Sequence, residues 1–338
     1  MTDITRKKIL LVAPAFFGYY KEIVKVLQNK GAEVYYYNSD PSDFVRNAVP
    51  FFQSHPLVKS LKISEKLVAR FEDKILYDIK NKGEKFDLLI VINGKYITSR
   101  FVNHVKQKHM NEEAQTILYY WDSRSVLCDD VDRIRLFDRV LSFDPIDCSE
   151  SGGVIDFLPL FYIDAYVAQK EYNKKIYDLT SIGSYKYNRY ILLDKIKKVN
   201  MSHTCYFFQY NSLVAFMPHK LFRPKYRSIK LSDISFSKLN KDEISKIYAE
   251  SKAVLDIPME GQNGLTMRTF ECLGSHMKMI TTNRNIVNYD FYKPEYIAIL
   301  GDDCKLPDIS WFDNDRIEWP DSIINKYSIN AWINNLLG

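Results

Sequence analysis

The run Pro258 to Asn283, PMEGQNGLTMRTFECLGSHMKMITTN, decides how this chain is read. The apolar stretch Ala253 to Ile257 in front of it reads as a buried strand, Gln262, Asn263 and Gly264 punctuate a loop, and Thr266 to Leu273 has helical spacing. Gly274 is expected to end the helix and Met277 to Thr281 to form the next strand. A helix that starts just after such a loop points several unpaired backbone N–H groups, and the positive end of its dipole, at whatever lies in front of it. That makes an anion site, and a diphosphate suits it. Arg268, one turn in, adds a planar cation, and Glu271 three residues on can share its face. A carboxylate there suits the vicinal hydroxyls of a ribose. The competing reading is an ordinary surface ion pair between Arg268 and Glu271.

Working outward, strands and helices alternate along the whole chain. Lys8 to Ala13 is a continuous apolar run typical of a buried parallel strand, followed by a helix Tyr20 to Lys30 closed by Gly31 and a second strand Ala32 to Tyr37. Ser54 to Lys82 reads as one or two amphipathic helices. Strands are expected at Phe86 to Ile92, Gln115 to Trp121, Val140 to Phe143 and Asp156 to Leu160, with a helix at Thr98 to Lys108. A second series opens with strand Asp178 to Ile182, helix Asn188 to Lys198 and strand Thr204 to Phe208. Asn211 to Leu239 reads as irregular and basic, Asp242 to Ser251 as a helix, Tyr296 to Leu300 as a strand, and Trp311 to Gly338 as terminal helices. The pattern predicts an α/β protein with two doubly wound, Rossmann-like domains, 1–165 and 166–315, and helices 316–338 crossing back onto the first.

A length of 338 residues favours two cores over one. Hydrophobic residues at 46% and charged residues at 26% are ordinary for a globular protein, whereas 24 Tyr and 20 Phe are many and suit cleft walls and stacking surfaces for sugars. The net charge of +5 is mild and no basic run resembles a nucleic-acid arm, so nucleic acid is excluded as a partner. It is compatible with an anionic ligand or an anionic membrane surface. The strongest basic cluster, HKLFRPKYR from His219 to Arg227, reads first as a solvated loop. Five scattered cysteines give no zinc or disulfide framework, and no stretch is a signal peptide or a membrane span. The expected location is cytoplasmic, with peripheral contact to the inner membrane surface allowed.

In open α/β sheets ligands sit beyond the carboxyl ends of the strands, and the polar residues there are the candidates. SIGSYKYNR, Ser181 to Arg189, puts Gly183, Ser184, Tyr185, Lys186 and Arg189 where a strand gives way to a helix, a second phosphate contact or a plain strand-turn-helix. YYWDSR sets Asp122 straight after a strand, with Arg124 beside it. A carboxylate among aromatic rings can hold its proton more tightly and so serve as general base, or Asp122 can simply cap a helix. Asp144 and Asp147 in FDPID read as capping or turn residues. Asn93 and Lys95 follow the third strand, and Gly18 with Phe17 and Tyr19 lies in the first βα loop, which lacks G-x-G-x-x-G. The histidines form no metal-binding pair, and the acidic runs Asp129-Asp130-Val131-Asp132 and Asp302-Asp303 read as solvated loops, so no metal is expected.

With these pieces placed, the chain resembles the GT-B nucleotide-sugar glycosyltransferases, and among them the CgeB-like and group 1-like enzymes of bacterial surface polysaccharide assembly. The resemblance runs over nearly the full length. It rests on KILLVAPAFFGYY, DLLIVING, ILYYWDS, FLPLFY, SIGSYKYNR and NGLTMRTFECLGSHMKMITTN, the last being the most specific. It implies that the first domain binds a glycan or lipid-linked glycan acceptor and the second a nucleotide diphosphate sugar, across an interdomain cleft. Asn263, Gly264, Leu265 and Thr266 would face the donor diphosphate, Arg268 would assist, Glu271 would hold the ribose, and Gly183, Ser184, Tyr185 and Arg189 would form the opposing phosphate loop. Asp122 would be the acceptor-side base, with Gly18, Tyr19, Asn93, Lys95 and Arg124 around the acceptor. Retaining members carry two glutamates seven residues apart in this unit. Here Gly264 takes the earlier place and Glu260 lies too far back, which favours an inverting, metal-independent transfer from a UDP-sugar in lipopolysaccharide, O-antigen or capsule assembly. A nucleotide-sugar epimerase of the same fold and a non-catalytic glycan-binding module remain alternatives.

Overall fold

Strand β1 (Lys8–Ala13) shows why the chain folds in layers: five of its six residues are buried, so neither face of the strand is left to solvent. A strand apolar on both sides belongs inside a parallel sheet covered by helices. The computed structural model describes residues 3–15, 18–42, 45–46, 49, 62–127, 131–166, 174–259, 261–313 and 317–338. Of the residues singled out above, Phe17, Asp129, Asp130, Glu260 and the stretch 54–61 lie outside these. The chain divides into two units, the first comprising Met1–Leu160, Gln262–Gly264 and Ile329–Gly338, the second Phe161–Gly261 and Leu265–Ser328.

The first unit is built on a six-stranded parallel sheet in the order β2-β1-β3-β4-β5-β6, with β2 Glu33–Asn38, β3 Phe86–Ile92, β4 Met110–Tyr120, β5 Arg139–Ser142 and β6 Asp156–Phe157. Helices α1 (Tyr19–Asn29), α2 (Ile63–Lys82) and α3 (Ser99–His109) supply the crossovers. Gly18 and Gly83 flank α1 and α2 in the left-handed conformation that glycine adopts without strain. Val102, Val105 and Ile79 pack with Leu89 and Val91 in the core of this unit. β4 starts five residues earlier than the sequence suggests, at Met110, because the polar stretch NEEAQ is drawn into the strand at its exposed end.

The second unit is a five-stranded parallel sheet in the order β11-β10-β9-β7-β8, with β7 Tyr177–Ser184, β8 Cys205–Tyr210, β9 Ser251–Asp256, β10 Lys278–Thr281 and β11 Ile297–Ile299. Its helices include α4 (Tyr187–Val199), α5 (Leu213–Phe222), α6 (Lys241–Ala249) and α7 (Met267–Gly274). The segment Asn211 to Leu239 is therefore not irregular throughout: α5 forms in spite of Pro218, which removes the N–H that would bond the Val214 carbonyl and so disguises the helix in the sequence.

Gly274 is the last residue of α7 and is not left-handed; that conformation falls to His276 (φ 52°). What requires glycine at 274 is Tyr162, since a Cβ would stand 2.6 Å from its Cγ. Of the terminal helices, Asp321–Lys326 belongs to the second unit, where Tyr162 Oη donates to the Ile324 carbonyl (3.0 Å). Only α8 (Ile329–Leu337) joins the first unit, where Trp332 meets Tyr119 edge-on at 4.9 Å and Arg139 donates to the Asn335 and Leu336 carbonyls. No helix among the described residues is long and apolar enough to cross a membrane.

Candidate functional site

In the second unit the chain runs from β7 outward to β8, then returns to place β9 on the other side of β7. Strand order reverses there, and the carboxyl ends of β7 and β9 open the crevice in which doubly wound sheets bind ligands. Two arginines meet at that point. Arg189, in the first turn of α4, donates from Nη1 to the Ser184 carbonyl and from Nη2 to the Ile257 carbonyl, both at 2.8 Å. Arg268, in the first turn of α7, reaches the Ile182 carbonyl through Nη2 and Asp256 Oδ1 through Nη1 at 3.3 Å. A Cβ on Gly183 would lie 3.1 Å from Arg189 Nη1 and 3.4 Å from Arg268 Nη2, so glycine lets both guanidiniums close on the strand end.

Asp256, the last residue of β9, is 1% exposed and anchors this cluster. Besides Arg268 it accepts from Thr266 Oγ1 (2.9 Å) and Thr269 Oγ1 (3.4 Å). Thr266 is the N-cap of α7 but makes no side-chain capping bond, because its hydroxyl is turned to Asp256. The first turn of α7 therefore keeps its anion-attracting N–H groups uncapped by a side chain.

Arg268 pairs with this buried carboxylate, and Arg189 feels it through its charge alone. Burial, and then the neighbouring charge of Arg268, push Arg189 down to about 10, with Asp256 opposing. For Arg268 burial acts in the same downward direction, but Tyr248, Asp256 and Glu271 outweigh it and raise its pKa. The Nε–H groups of both arginines are buried with no acceptor among the described residues. Asp256 and Glu271 together match the two guanidinium charges, and the spare Nε–H donors are the chemistry that suits an oxyanion.

Of the residues expected here, Gly183, Ser184, Arg189, Thr266 and Arg268 are brought together. Glu271 lies one turn along α7, only 7% exposed, and acts on Arg268 through its charge. Leu265 is buried at 1% exposure and packs. Tyr185 is not aimed at the cluster: its ring packs against Phe216 and Tyr226, and its N–H goes to the Tyr210 carbonyl at 2.7 Å. Asn263 and Gly264 belong to the first unit, where the Asn263 N–H donates to Asp144 Oδ2 (3.3 Å) and a Cβ on Gly264 would fall 2.6 Å from the Phe143 ring. Both are thus held by groups of the first unit. Asp256 and Tyr248 were not singled out in the sequence. The signal for Asp256 was a carboxylate inside an apolar strand run, AVLDI, followed twelve residues later by an arginine.

In the first unit the order reverses between β1 and β3, and the second cluster lies at the carboxyl ends of β3 and β4. Asn93 has a left-handed backbone (φ 56°) and is 6% exposed. Its Nδ2 donates to Asp122 Oδ2 (2.6 Å), while its Oδ1 accepts from the backbone N–H of Trp121 (2.9 Å) and of Asp122 (3.2 Å). Arg133 holds the Asn93 carbonyl from behind. Burial raises the Asp122 pKa above the usual carboxylate value, the Asn93 hydrogen bond opposes this, Asp40 adds to it and Lys95 opposes it. The result is a carboxylate fixed in direction and disposed to take a proton.

Lys95 is exposed and Tyr19 is buried, while Gly18 turns the chain into α1 with φ 73°. Arg124 is tied by its N–H to Asp147 Oδ2 (2.9 Å), and its Nε is buried without an acceptor among the described residues. Asp144 caps the short helix Pro145–Glu150 through the Ile146 N–H, as expected. Asp40, two residues past the end of β2, was missed because nothing in the sequence links it to Asp122. Among the described residues no three His, Cys, Asp or Glu side chains are grouped to hold a metal ion.

No protein-family model matches the sequence, and no curated protein matches it. Solved structures do. A glycosyltransferase from Rickettsia africae ESF-5 superposes with a TM-score of 0.57 at 11% identity, covering 98% of this chain and 97% of that one. The Anabaena protein Alr3699/HepE, solved in complex with UDP and glucose, gives 0.55 at 10% identity, covering 98% of both chains. A putative UDP-N-acetylglucosamine 2-epimerase from Listeria monocytogenes gives 0.53 at 10% identity, covering 98% and 95%. The fold is GT-B. The likeness is one of fold, and within that GT-B frame the arginine cluster occupies the switch point of the second unit and Asp122 the strand ends of the first.

Proposed function

We propose that this protein is a glycosyltransferase that takes its sugar from a nucleotide diphosphate donor, a UDP-sugar in the first instance. The observation that carries the reading is the meeting of Arg189 and Arg268 at the ends of β7 and β9, with Asp256 paired to Arg268, beside the uncapped start of α7. Such a cluster stabilises the charge that develops on a departing diphosphate, which is where binding energy accelerates the reaction. Glu271, a turn further along the helix, takes the ribose hydroxyls. Asp122, oriented by Asn93, removes the proton from the acceptor hydroxyl as the sugar is transferred with inversion and without a metal ion. The acceptor is a glycan or lipid-linked glycan of lipopolysaccharide, O-antigen or capsule assembly, in line with the resemblance to CgeB-like and group 1-like enzymes. The GT-B fold, shared with a protein solved with UDP and glucose, supports the donor class.

The test is UDP release from UDP-sugars with a panel of glycan acceptors, for wild type, Arg268→Ala and Asp122→Asn. Loss of UDP binding is expected in Arg268→Ala, and loss of turnover with binding retained in Asp122→Asn. Undiminished turnover in Arg268→Ala removes the diphosphate role. A second reading, a nucleotide-sugar epimerase, is favoured by the likeness of fold to the Listeria protein. A donor sugar that isomerises with no acceptor present selects it.

A further inference from the structure

Helix α5, LVAFMPHKLF, is apolar on both faces, and only one face is covered. Phe216 is fully buried among Tyr185, Tyr226, Ile229 and Ile234. On the other side Leu213, Val214, Leu221 and Phe222 are 51%, 83%, 60% and 81% exposed, with exposed Pro218 between them. Positions 214, 218 and 222 form one ridge of the helix and 213, 217 and 221 the next, so the exposed groups make a continuous stripe. A helix apolar all round is covered by something, and an apolar stripe rimmed by charge marks an interaction surface.

The rim has one sign. Arg223, Lys225, Arg227 and Lys230 follow the helix and are all exposed. The side chains of Arg223, Arg227 and Lys230 have no protein partner among the described residues, and Lys225 lies over the Tyr187 ring at 4.8 Å. Asp233 is the one acid between residues 211 and 238, and Tyr190 Oη occupies it at 2.8 Å. Lys220, from the helix, donates to the Arg227 and Ile229 carbonyls and pins the cationic loop alongside the stripe. A second copy of this chain related by a twofold axis would set these cations against their own kind. A bilayer offers acyl chains to the stripe and anionic headgroups to the rim at once.

We propose that α5 and the loop up to Lys230 dock this protein onto an anionic lipid surface. The test is co-sedimentation of the full chain with vesicles of phosphatidylcholine alone and of phosphatidylcholine mixed with phosphatidylglycerol, at low and high salt. Binding is expected only to the mixed vesicles, falling as salt rises. Arg223→Gln/Arg227→Gln/Lys230→Gln is expected to lower the partition coefficient by roughly fivefold per cation removed, about a hundredfold together. Val214→Ser/Phe222→Ser is expected to lower it by about tenfold or more. All five side chains are exposed, so thermal melting should stay at the wild-type value; Phe222→Trp should keep binding and shift its emission to the blue on contact with the mixed vesicles. The proposal is overturned if wild type stays in the supernatant with every vesicle, or if both multiple variants bind as wild type does. It is equally overturned if Val214→Ser/Phe222→Ser dissolves a dimer of a protein that ignores lipid, or if polyglutamate is bound and mixed vesicles are not.

Discussion

Removing Arg268 or Asp256 singly should cost nearly as much as removing both. At 3.3 Å the direct attraction between them is about 5 kcal/mol for an effective dielectric of about 20, and desolvation of the two groups takes back much of it. Arg268→Ala leaves Asp256, 1% exposed, with two threonine hydroxyls and the field of Arg189 as compensation. We expect a loss of about 3 kcal/mol, the lower end for orphaning a buried charge, because Arg268 itself keeps 19% of its side chain in solvent. Asp256→Asn leaves Arg268 with Glu271 as its remaining carboxylate neighbour and Arg189 with none, and about 2 kcal/mol is expected to go. The double variant should lose about 3 kcal/mol, a coupling of about 2 kcal/mol. Urea unfolding of the four proteins measures this, read from the transition of the second unit, in which Trp311 and Trp319 sit. Single losses that add to the double loss within about 0.5 kcal/mol would refute the pairing of Arg268 with Asp256.

Two more outcomes follow from other parts of the molecule. The Asp122 pKa is raised above 3.8 in the native state, so its stabilising contribution is complete below that value and disappears as pH rises through the native one. Relative to wild type, Asp122→Asn should therefore gain melting temperature as pH climbs above 3.8, and a relative loss over that range would show the carboxylate to be the favoured form. Gly274→Ala should cost about 1–3 kcal/mol by pressing a methyl group into the Tyr162 ring, and much less in a Tyr162→Ala background. An equal cost in both backgrounds, by urea unfolding, would point to the helix end rather than the ring.

Both sheets were legible because their strands are short apolar runs closed by glycine or polar residues, a period that survives without tertiary information. KILLVA and FDLLIVI carry the strand assignment within a few residues. Helix α5 was not legible, since Pro218 and the basic residues after it imitate a loop, and only packing on Phe216 shows otherwise. Arg189 and Arg268 could be picked out as cations at strand-to-helix junctions. Their convergence could not, because 79 positions of sequence separate groups that meet through the β7–β9 pairing. Gly264 stands where the motif puts a glycine, and Phe143 of the same unit would stand 2.6 Å from a Cβ there, a contact no sequence pattern announces.

Asn93 carries a restriction of another kind. Its backbone sits in the left-handed basin, open at low cost to glycine, asparagine and aspartate. Glycine would meet the torsion but leave the Trp121 and Asp122 amides without their acceptor. Aspartate would serve those amides and set a second negative charge 2.6 Å from the first. One amino acid alone can supply the torsion, the acceptor and the donor, so the freedom of this strand end to drift in sequence is close to nil.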